Sequence, residues 1–222
     1  MDIAGHIDST LLRPDAAREE VIELCSEAVD MGYAAVCVNP GRLVLAVECL
    51  AGSSVAPCTV VGFPLGAHDT TQKLVEVEWA LEHGAREIDM VMNIGAFKDQ
   101  EYISVAEEIR LASLKVKQFP GAVLKVIVET ALLDREELRR AAIVVKDGGA
   151  DYIKTSTGFS SRGVNLEDLQ CIRETVGDGL KIKASGGIKT RDFALRLIKA
   201  GADRIGTSSA RDIMKEWESE EA

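Results

Sequence analysis

Two lysines that end short apolar segments are the residues of this chain whose type and spacing most clearly suggest chemistry. Lys154 precedes the small-residue segment 155–158, and Lys183 precedes the similar segment 184–187. Burying an unpaired ammonium is costly in free energy, and a second ammonium nearby raises that cost. A fold that accepts the cost commonly lowers the pKa of one lysine, so that its neutral amine becomes a nucleophile.

A recurring glycine-led pattern indicates which elements position these lysines. In each of four copies a glycine follows an amphipathic stretch and a strand-like segment then begins, as expected for a glycine just past a helix end. The residues that stand five positions after the four glycines are Cys37, Asp89, Lys154 and Gly206. Because side chains alternate along a strand, the isoleucines that precede the last three should face the other side of the sheet: Ile88, Ile153 and Ile205.

Eight strand-like segments, separated mostly by helical periodicity, predict the fold class. They are residues 7–11, 34–39, 59–63, 87–92, 124–129, 152–155, 181–185 and 204–207. Helix starts are predicted at a capping box of Asp134 with Glu137 and at the N-caps Asn165 and Thr190. This alternation indicates an α/β protein with a single (β/α)8 TIM barrel over residues 1–222. The acidic tail, 215–222, is a candidate for fraying.

The structural alternative to a barrel is a doubly wound open sheet. That fold usually carries Gly-x-Gly-x-x-Gly after its first strand, and this chain has no such motif.

Composition excludes several classes of function. The formal net charge of −10 argues against nucleic-acid binding, which depends on basic patches. No apolar run approaches the roughly 18 residues of a membrane span, and the first residues do not resemble a signal peptide. The five cysteines are odd in number and form no Cys-x-x-Cys, which indicates reduced thiols and no zinc site. The sequence therefore predicts a cytoplasmic protein that binds neither membrane nor nucleic acid.

Candidate site residues lie where the predicted strands end, because the active sites of barrels lie at the C-terminal ends of the strands. Lysines and carboxylates that converge there suit amine chemistry. The loops after the last three strands are rich in Gly, Ser and Thr, so their backbone N–H groups could approach an anion beside helix N-termini. We therefore expect a phosphorylated small molecule with its phosphate at one end and a lysine amine at the other.

Six motifs, in order along most of the chain, resemble deoxyribose-phosphate aldolase. They occupy residues 7–12, 35–40, 87–93, 124–130, 151–159 and 183–187. The resemblance implies a class I aldolase with a (β/α)8 fold that needs no metal and no cofactor. Such an enzyme interconverts 2-deoxy-D-ribose 5-phosphate with D-glyceraldehyde 3-phosphate and acetaldehyde. It also implies a homodimer or homotetramer.

The resemblance assigns a role to each matching position. Lys154 would form the Schiff base, Lys183 would lower its pKa and share in proton transfer, and Asp89 would move protons through a water. The positions expected to line the pocket are Asp8, Cys37, Lys125 and Thr155. Those expected near the phosphate are Gly158, Gly186, Gly187, Gly206, Ser208 and Ser209. Ser9 stands where many short members have histidine.

Three other functions remain open from the sequence. Another lysine-dependent barrel aldolase would keep the imine and act on a different phosphosugar. A phosphosugar isomerase would use Asp89 as its base and Lys154 only for electrostatics. A non-catalytic phosphosugar-binding barrel would have an occupied but inert site.

Overall fold

The computed structural model of the protein describes the backbone of residues 3–221 and the side chains through Trp217. Eight parallel strands form a closed barrel in which β8 pairs with β1, as the sequence predicted. The strands are β1 (Ile7–Leu11), β2 (Ala35–Val38), β3 (Ala56–Val61), β4 (Glu87–Val91), β5 (Val123–Ile127), β6 (Tyr152–Lys154), β7 (Lys181–Ser185) and β8 (Arg204–Thr207).

Nine α-helices surround the barrel within the described residues. They are α1 (Arg18–Met31), α2 (Leu43–Cys49), α3 (Thr70–Glu82), α4 (Ile94–Lys98), α5 (Tyr102–Val116), α6 (Arg135–Asp147), α7 (Leu166–Val176), α8 (Arg191–Lys199) and α9 (Ala210–Glu221). Residue 222 and the side chains beyond Trp217 lie outside the described residues, so the fraying of 215–222 stays a prediction. None of the helices in residues 3–221 combines the length and apolar character that a membrane span requires.

Strand boundaries differ from the prediction where the backbone leaves the extended region. The predicted third strand, 59–63, is in fact β3, which starts at Ala56 and ends before Gly62, whose φ is 60°. The predicted fifth strand, 124–129, stops at Ile127 because Glu129 has a φ of 55°, in the left-handed region. The last two strands have the predicted boundaries.

The predicted helix caps are confirmed. Asp134 and Glu137 form a reciprocal capping box at the start of α6. The side chain of Asn165 accepts a hydrogen bond at the start of α7, and that of Thr190 accepts one at the start of α8. The four glycines of the recurring pattern all have positive φ, between 70° and 105°, which a residue with a Cβ adopts only with strain: Gly32, Gly84, Gly149 and Gly201.

The predicted alternation of side chains along the strands divides the barrel into two environments. Ile88, Ile153 and Ile205 are fully buried in the apolar core with residues of the surrounding helices. The charged residues Asp89 and Lys154, next to them in sequence, are also buried and contact each other. The outer face of the strands therefore supplies apolar packing, and the interior carries the charges.

A buried ion pair outside the barrel fastens the C-terminal end of β4. Lys73 Nζ, on α3, lies 2.8 Å from Glu108 Oε1, on α5, and 3.0 Å from the carbonyl oxygen of Val91. Glu108 Oε1 also accepts the backbone N–H of Asn93 at 3.1 Å. Burial lowers the pKa of Lys73, although Glu108 opposes this shift.

We expect Lys73→Met to lower the free energy of unfolding by about 3–5 kcal/mol, because it leaves the buried Glu108 carboxylate without its cation. Urea unfolding followed by circular dichroism measures the change. The matched control is Lys115→Met, which removes an exposed pair with Glu78 and should cost less than about 1 kcal/mol. Equal losses in the two variants would contradict the structural importance of the buried pair.

Candidate active site

Three lysine amines converge on one carboxylate, that of Asp89, in the interior of the barrel. Lys125 Nζ lies 2.9 Å from Asp89 Oδ1. Lys154 Nζ and Lys183 Nζ each lie 2.7 Å from Oδ2. Asp89, Lys125 and Lys183 have no exposed surface, and Lys154 has 3%. Lysines and carboxylates therefore converge at this end of the barrel as the sequence led us to expect, and each of the three buried amines is paired with Asp89.

A second tier of charged side chains lies around this center. Asp8 Oδ2 is 2.5 Å from Lys183 Nζ, and Glu87 Oε2 is 2.5 Å from Lys125 Nζ. The other oxygen of each carboxylate contacts Arg204, at 2.6 Å from Asp8 and 3.1 Å from Glu87. These contacts close a circuit of six groups that we call the ionic ring: Asp8, Glu87, Asp89, Lys125, Lys183 and Arg204.

The charges of the ring hold one another in their ionised forms. Burial by itself would raise the pKa of Asp89, but the three ammonium groups hold it well below its usual value. Burial by itself would lower the pKa of Lys183 and of Lys125, but the surrounding carboxylates raise both above the usual value. Lys183 is therefore an ammonium, which keeps a positive charge beside Lys154.

Strand register explains why residues distant in sequence meet here. Asp89 on β4 pairs with Lys125 on β5, and Lys154 on β6 pairs with Lys183 on β7. Gly206 on β8 leaves room for the Lys183 side chain, since a Cβ there would lie 3.0 Å from Lys183 Cε and 2.3 Å from Ser185 Oγ.

A cavity of about 750 Å³ opens above Lys154 at the C-terminal ends of the strands. Among the three lysines that contact Asp89 only Lys154 lines it, in the part of the chain that the structure describes. Five of the six predicted phosphate residues also line it: Gly158, Gly186, Gly187, Gly206 and Ser208.

The phosphate end of the cavity offers unpaired backbone donors. Within residues 3–221 the backbone N–H groups of Gly158, Gly187 and Ser208 have no protein acceptor. Helix α9 begins at Ala210, directly after this last loop, and adds the positive end of its dipole. Such a set of donors suits a phosphate group.

Several predicted pocket residues lie elsewhere. Asp8, Cys37 and Lys125 are fully buried and do not line the cavity. The Thr155 hydroxyl donates to Ser185 O at 3.1 Å and accepts from Ser185 N at 3.0 Å, so it joins two strands. Ser209 is outside the lining, and its N–H donates to Thr207 Oγ1.

Comparison with known proteins agrees with this geometry. A family model described as DeoC/LacD family aldolase matches residues 6–216. The chain belongs to this aldolase family. A relative from Mycoplasmoides pirum named deoxyribose-phosphate aldolase is 52% identical over 219 residues, covering 97% of this chain and 98% of that protein.

Two solved structures of aldolases have the same fold as this member of the family. One is titled "QR15, an Aldolase", with a TM-score of 0.94 and 41% identity, covering 100% of this chain and 98% of that one. The other is described as a tetrameric deoxyribose phosphate aldolase from Aeropyrum pernix. Its TM-score is 0.88 and its identity 36%, covering 98% of this chain and 91% of that one.

Sequence reasoning missed four residues of the aldolase site: Cys58, Glu87, Lys189 and Arg204. Glu87 and Arg204 open their strands two positions before Asp89 and Gly206, so the alternation that placed those residues inside could also have placed them. Cys58 was excluded because the predicted third strand began at residue 59, three residues after the actual start of β3 at Ala56. Lys189 follows the Gly-Gly loop and lines the cavity.

The aldolase interior also holds two thiols next to Asp89. Cys58 Sγ lies 3.4 Å from Asp89 Oδ1, and Cys37 Sγ lies 4.0 Å from Oδ2. Burial raises the pKa of Cys58, while the hydrogen bond from Cys58 lowers that of Cys37. Ligand atoms of these three residues lie within 4.8 Å of one another. Three ammonium groups already contact the Asp89 carboxylate, however, and their positive charge disfavours the binding of a metal cation there.

We expect Gly206→Ala to lower kcat and to cost about 1–3 kcal/mol of stability, because the added Cβ displaces Ser185 and the Lys183 side chain. Steady-state kinetics and thermal unfolding of the purified variant measure both effects. Gly41→Ala is the matched control, since nothing lies within 4 Å of a Cβ at Gly41. Wild-type kcat in Gly206→Ala would show that the position of Lys183 does not depend on this glycine.

Proposed function

We propose that this aldolase reversibly cleaves 2-deoxy-D-ribose 5-phosphate to D-glyceraldehyde 3-phosphate and acetaldehyde through a Schiff base on Lys154. The observation that carries the proposal is the placement of Lys154. Its amine lies at the floor of the cavity, 2.7 Å from Asp89 Oδ2, whereas the two other lysines of the cluster are fully buried beneath. The family and the Mycoplasmoides pirum relative support the substrate.

The reaction begins with attack of the neutral Lys154 amine on the aldehyde carbon of the open-chain sugar. Loss of water from the carbinolamine gives a protonated imine, which withdraws electrons from the adjacent carbons. A base then removes the proton of the C3 hydroxyl, the C2–C3 bond breaks, and its electron pair forms an enamine between C1 and C2 while C3 becomes the aldehyde carbon of the leaving product. Glyceraldehyde 3-phosphate leaves. Protonation of the enamine and hydrolysis of the imine release acetaldehyde and restore the amine.

Asp89 and Lys183 support these steps from below the cavity. Asp89 is a carboxylate that touches the amine of Lys154, so it orients the nucleophile and stabilises the positive charge of the imine. The proton exchange with substrate that the resemblance assigns to Asp89 would pass by way of Lys154, because Asp89 is fully buried and does not line the cavity. Lys183 contacts the same carboxylate oxygen and places a fixed positive charge beside Lys154. The charges and distances of these residues support the proposed roles.

The substrate phosphate is expected at the other end of the cavity. The unpaired N–H groups of Gly158, Gly187 and Ser208 and the N-terminus of α9 support this placement. Binding there holds the aldehyde end of the sugar above Lys154 and supplies orientation for the chemical step.

We also propose that the enzyme assembles as a homodimer or homotetramer. The support is the resemblance to the Aeropyrum pernix enzyme, whose structure is described as tetrameric. Light scattering coupled to size-exclusion chromatography measures the mass, and a monomer at all concentrations would contradict this.

Lys154→Ala should abolish cleavage of deoxyribose 5-phosphate while leaving the fold intact, because no other amine of the Asp89 cluster reaches the cavity. The measurement is chromatographic detection of both aldehyde products, with circular dichroism as the test of folding. Lys181→Ala is the matched control, since this lysine of β7 is exposed and does not touch Asp89. Near-normal turnover in Lys154→Ala would overturn the mechanism, and a rearranged phosphosugar in place of two aldehydes would indicate an isomerase.

Lys189→Ala should raise KM for deoxyribose 5-phosphate about tenfold, equivalent to about 1.4 kcal/mol, and leave kcat nearly unchanged. The reason is that Lys189 lines the cavity beside the Gly-Gly loop and offers a cation to the phosphate. Kinetics with non-phosphorylated 2-deoxyribose should not respond to the change. Lys199→Ala, at the opposite end of α8, is the control; equal effects on both sugars would contradict a phosphate contact.

A further inference from the structure

Arg204 holds the active-site charges in place although it does not line the cavity. It opens β8, and its side chain is only 18% exposed. Its guanidinium contacts two carboxylates from different strands, Asp8 of β1 and Glu87 of β4. Because a planar guanidinium presents its donors in a fixed fork, it sets the distance and the angle between these two carboxylates.

Asp8 and Glu87, which Arg204 holds in place, in turn position the lysines that they contact. Each uses one oxygen for Arg204 and the other for lysine. Asp8 Oδ2 lies 2.5 Å from Lys183 Nζ and, more distantly, 3.5 Å from Lys125 Nζ, and Glu87 Oε2 lies 2.5 Å from Lys125 Nζ. Those two lysines then hold the two different oxygens of Asp89. The orientation of the Asp89 carboxylate is therefore determined by two chains of contacts that start at one side chain.

We propose that Arg204 is a positioning residue for the reaction at Lys154, acting through Asp8 and Glu87 on the lysines that orient Asp89. This inference rests on the proposed function, because it concerns the chemistry of the same amine. It differs from a role in stability alone, because displacement of Asp89 would affect the chemical step and leave the cavity residues that bind substrate unchanged.

The charge balance of the ionic ring predicts how the pH dependence of the reaction should change when one of its charges is removed. The ring holds three cations and three anions, so its formal charge is zero. Loss of the Arg204 charge leaves a buried excess of one negative charge, and neutralisation of Glu87 leaves an excess of one positive charge. The other titratable groups near these residues are Lys154, Cys37, Cys58 and Tyr152.

Arg204→Met should lower kcat about 10- to 100-fold, the range expected for a small misplacement of catalytic groups, with KM for deoxyribose 5-phosphate within about twofold of wild type. Excess negative charge stabilises protonated amines, so the ascending limb of the pH profile of kcat/KM should move to higher pH. Glu87→Gln should move the same limb to lower pH. Arg204→Lys keeps the charge but loses the fork, so it should restore the pH profile and only part of kcat.

The matched control is Arg173→Met. Arg173 also forms a partly buried ion pair between elements, with Asp203 at 3.1 Å, and donates to Gly201 O at 2.7 Å. It does not contact the ionic ring. This variant should lose stability and keep the wild-type kcat and pH profile.

The possible outcomes distinguish a failure of the proposed function from a failure of the positioning role of Arg204 alone. A wild-type enzyme that neither cleaves the sugar nor forms an imine would overturn the proposed function itself. An active wild type with a folded Arg204→Met variant that keeps the wild-type kcat and pH profile would overturn the positioning role alone. If Arg204→Met does not fold, Glu87→Gln and Arg204→Lys decide. A pH profile shifted to lower pH in Glu87→Gln and a reduced kcat in Arg204→Lys support the proposal, whereas a wild-type pH profile in Glu87→Gln together with a wild-type kcat in Arg204→Lys refutes it.

Discussion

The sharing of one carboxylate by three ammonium groups is the interaction on which the rest of this structure depends. Asp89 Oδ2 lies 2.7 Å from both Lys154 Nζ and Lys183 Nζ, and Oδ1 lies 2.9 Å from Lys125 Nζ. Cations at such distances repel one another strongly in a buried site, so the arrangement requires compensating anions. Asp8 and Glu87 supply them. The ionic ring is neutral by itself, and Lys154 is a seventh group that adds charge only when it is protonated.

This charge balance links the architecture of the barrel to its chemistry. A protonated Lys154 gives the buried cluster a net positive charge, whereas a neutral amine leaves the cluster balanced. The same balance of buried charges explains why the three lysines have different roles. Lys125 and Lys183 are enclosed by carboxylates that raise their pKa values, and they stay ammonium groups. Lys154 is the lysine of this cluster that reaches the cavity.

Much of this site could be predicted from the sequence because its main signals are local. The glycine-led repeat placed Asp89 and Lys154 on equivalent positions of two strands, β4 and β6, and the loop compositions indicated the phosphate end. The same alternation could have placed Glu87 and Arg204 inside the barrel, but nothing local in the sequence pairs them with each other. They are 117 residues apart in sequence, and only closure of the barrel brings them together.

The measurement that tests the central claim most directly is reductive trapping of the substrate on the protein. The enzyme is incubated with deoxyribose 5-phosphate and sodium borohydride, and its intact mass and peptide map are recorded. We predict a reduced adduct on the peptide that carries Lys154. A folded protein that binds the phosphosugar without forming an adduct, or an adduct on a different lysine, would contradict the account.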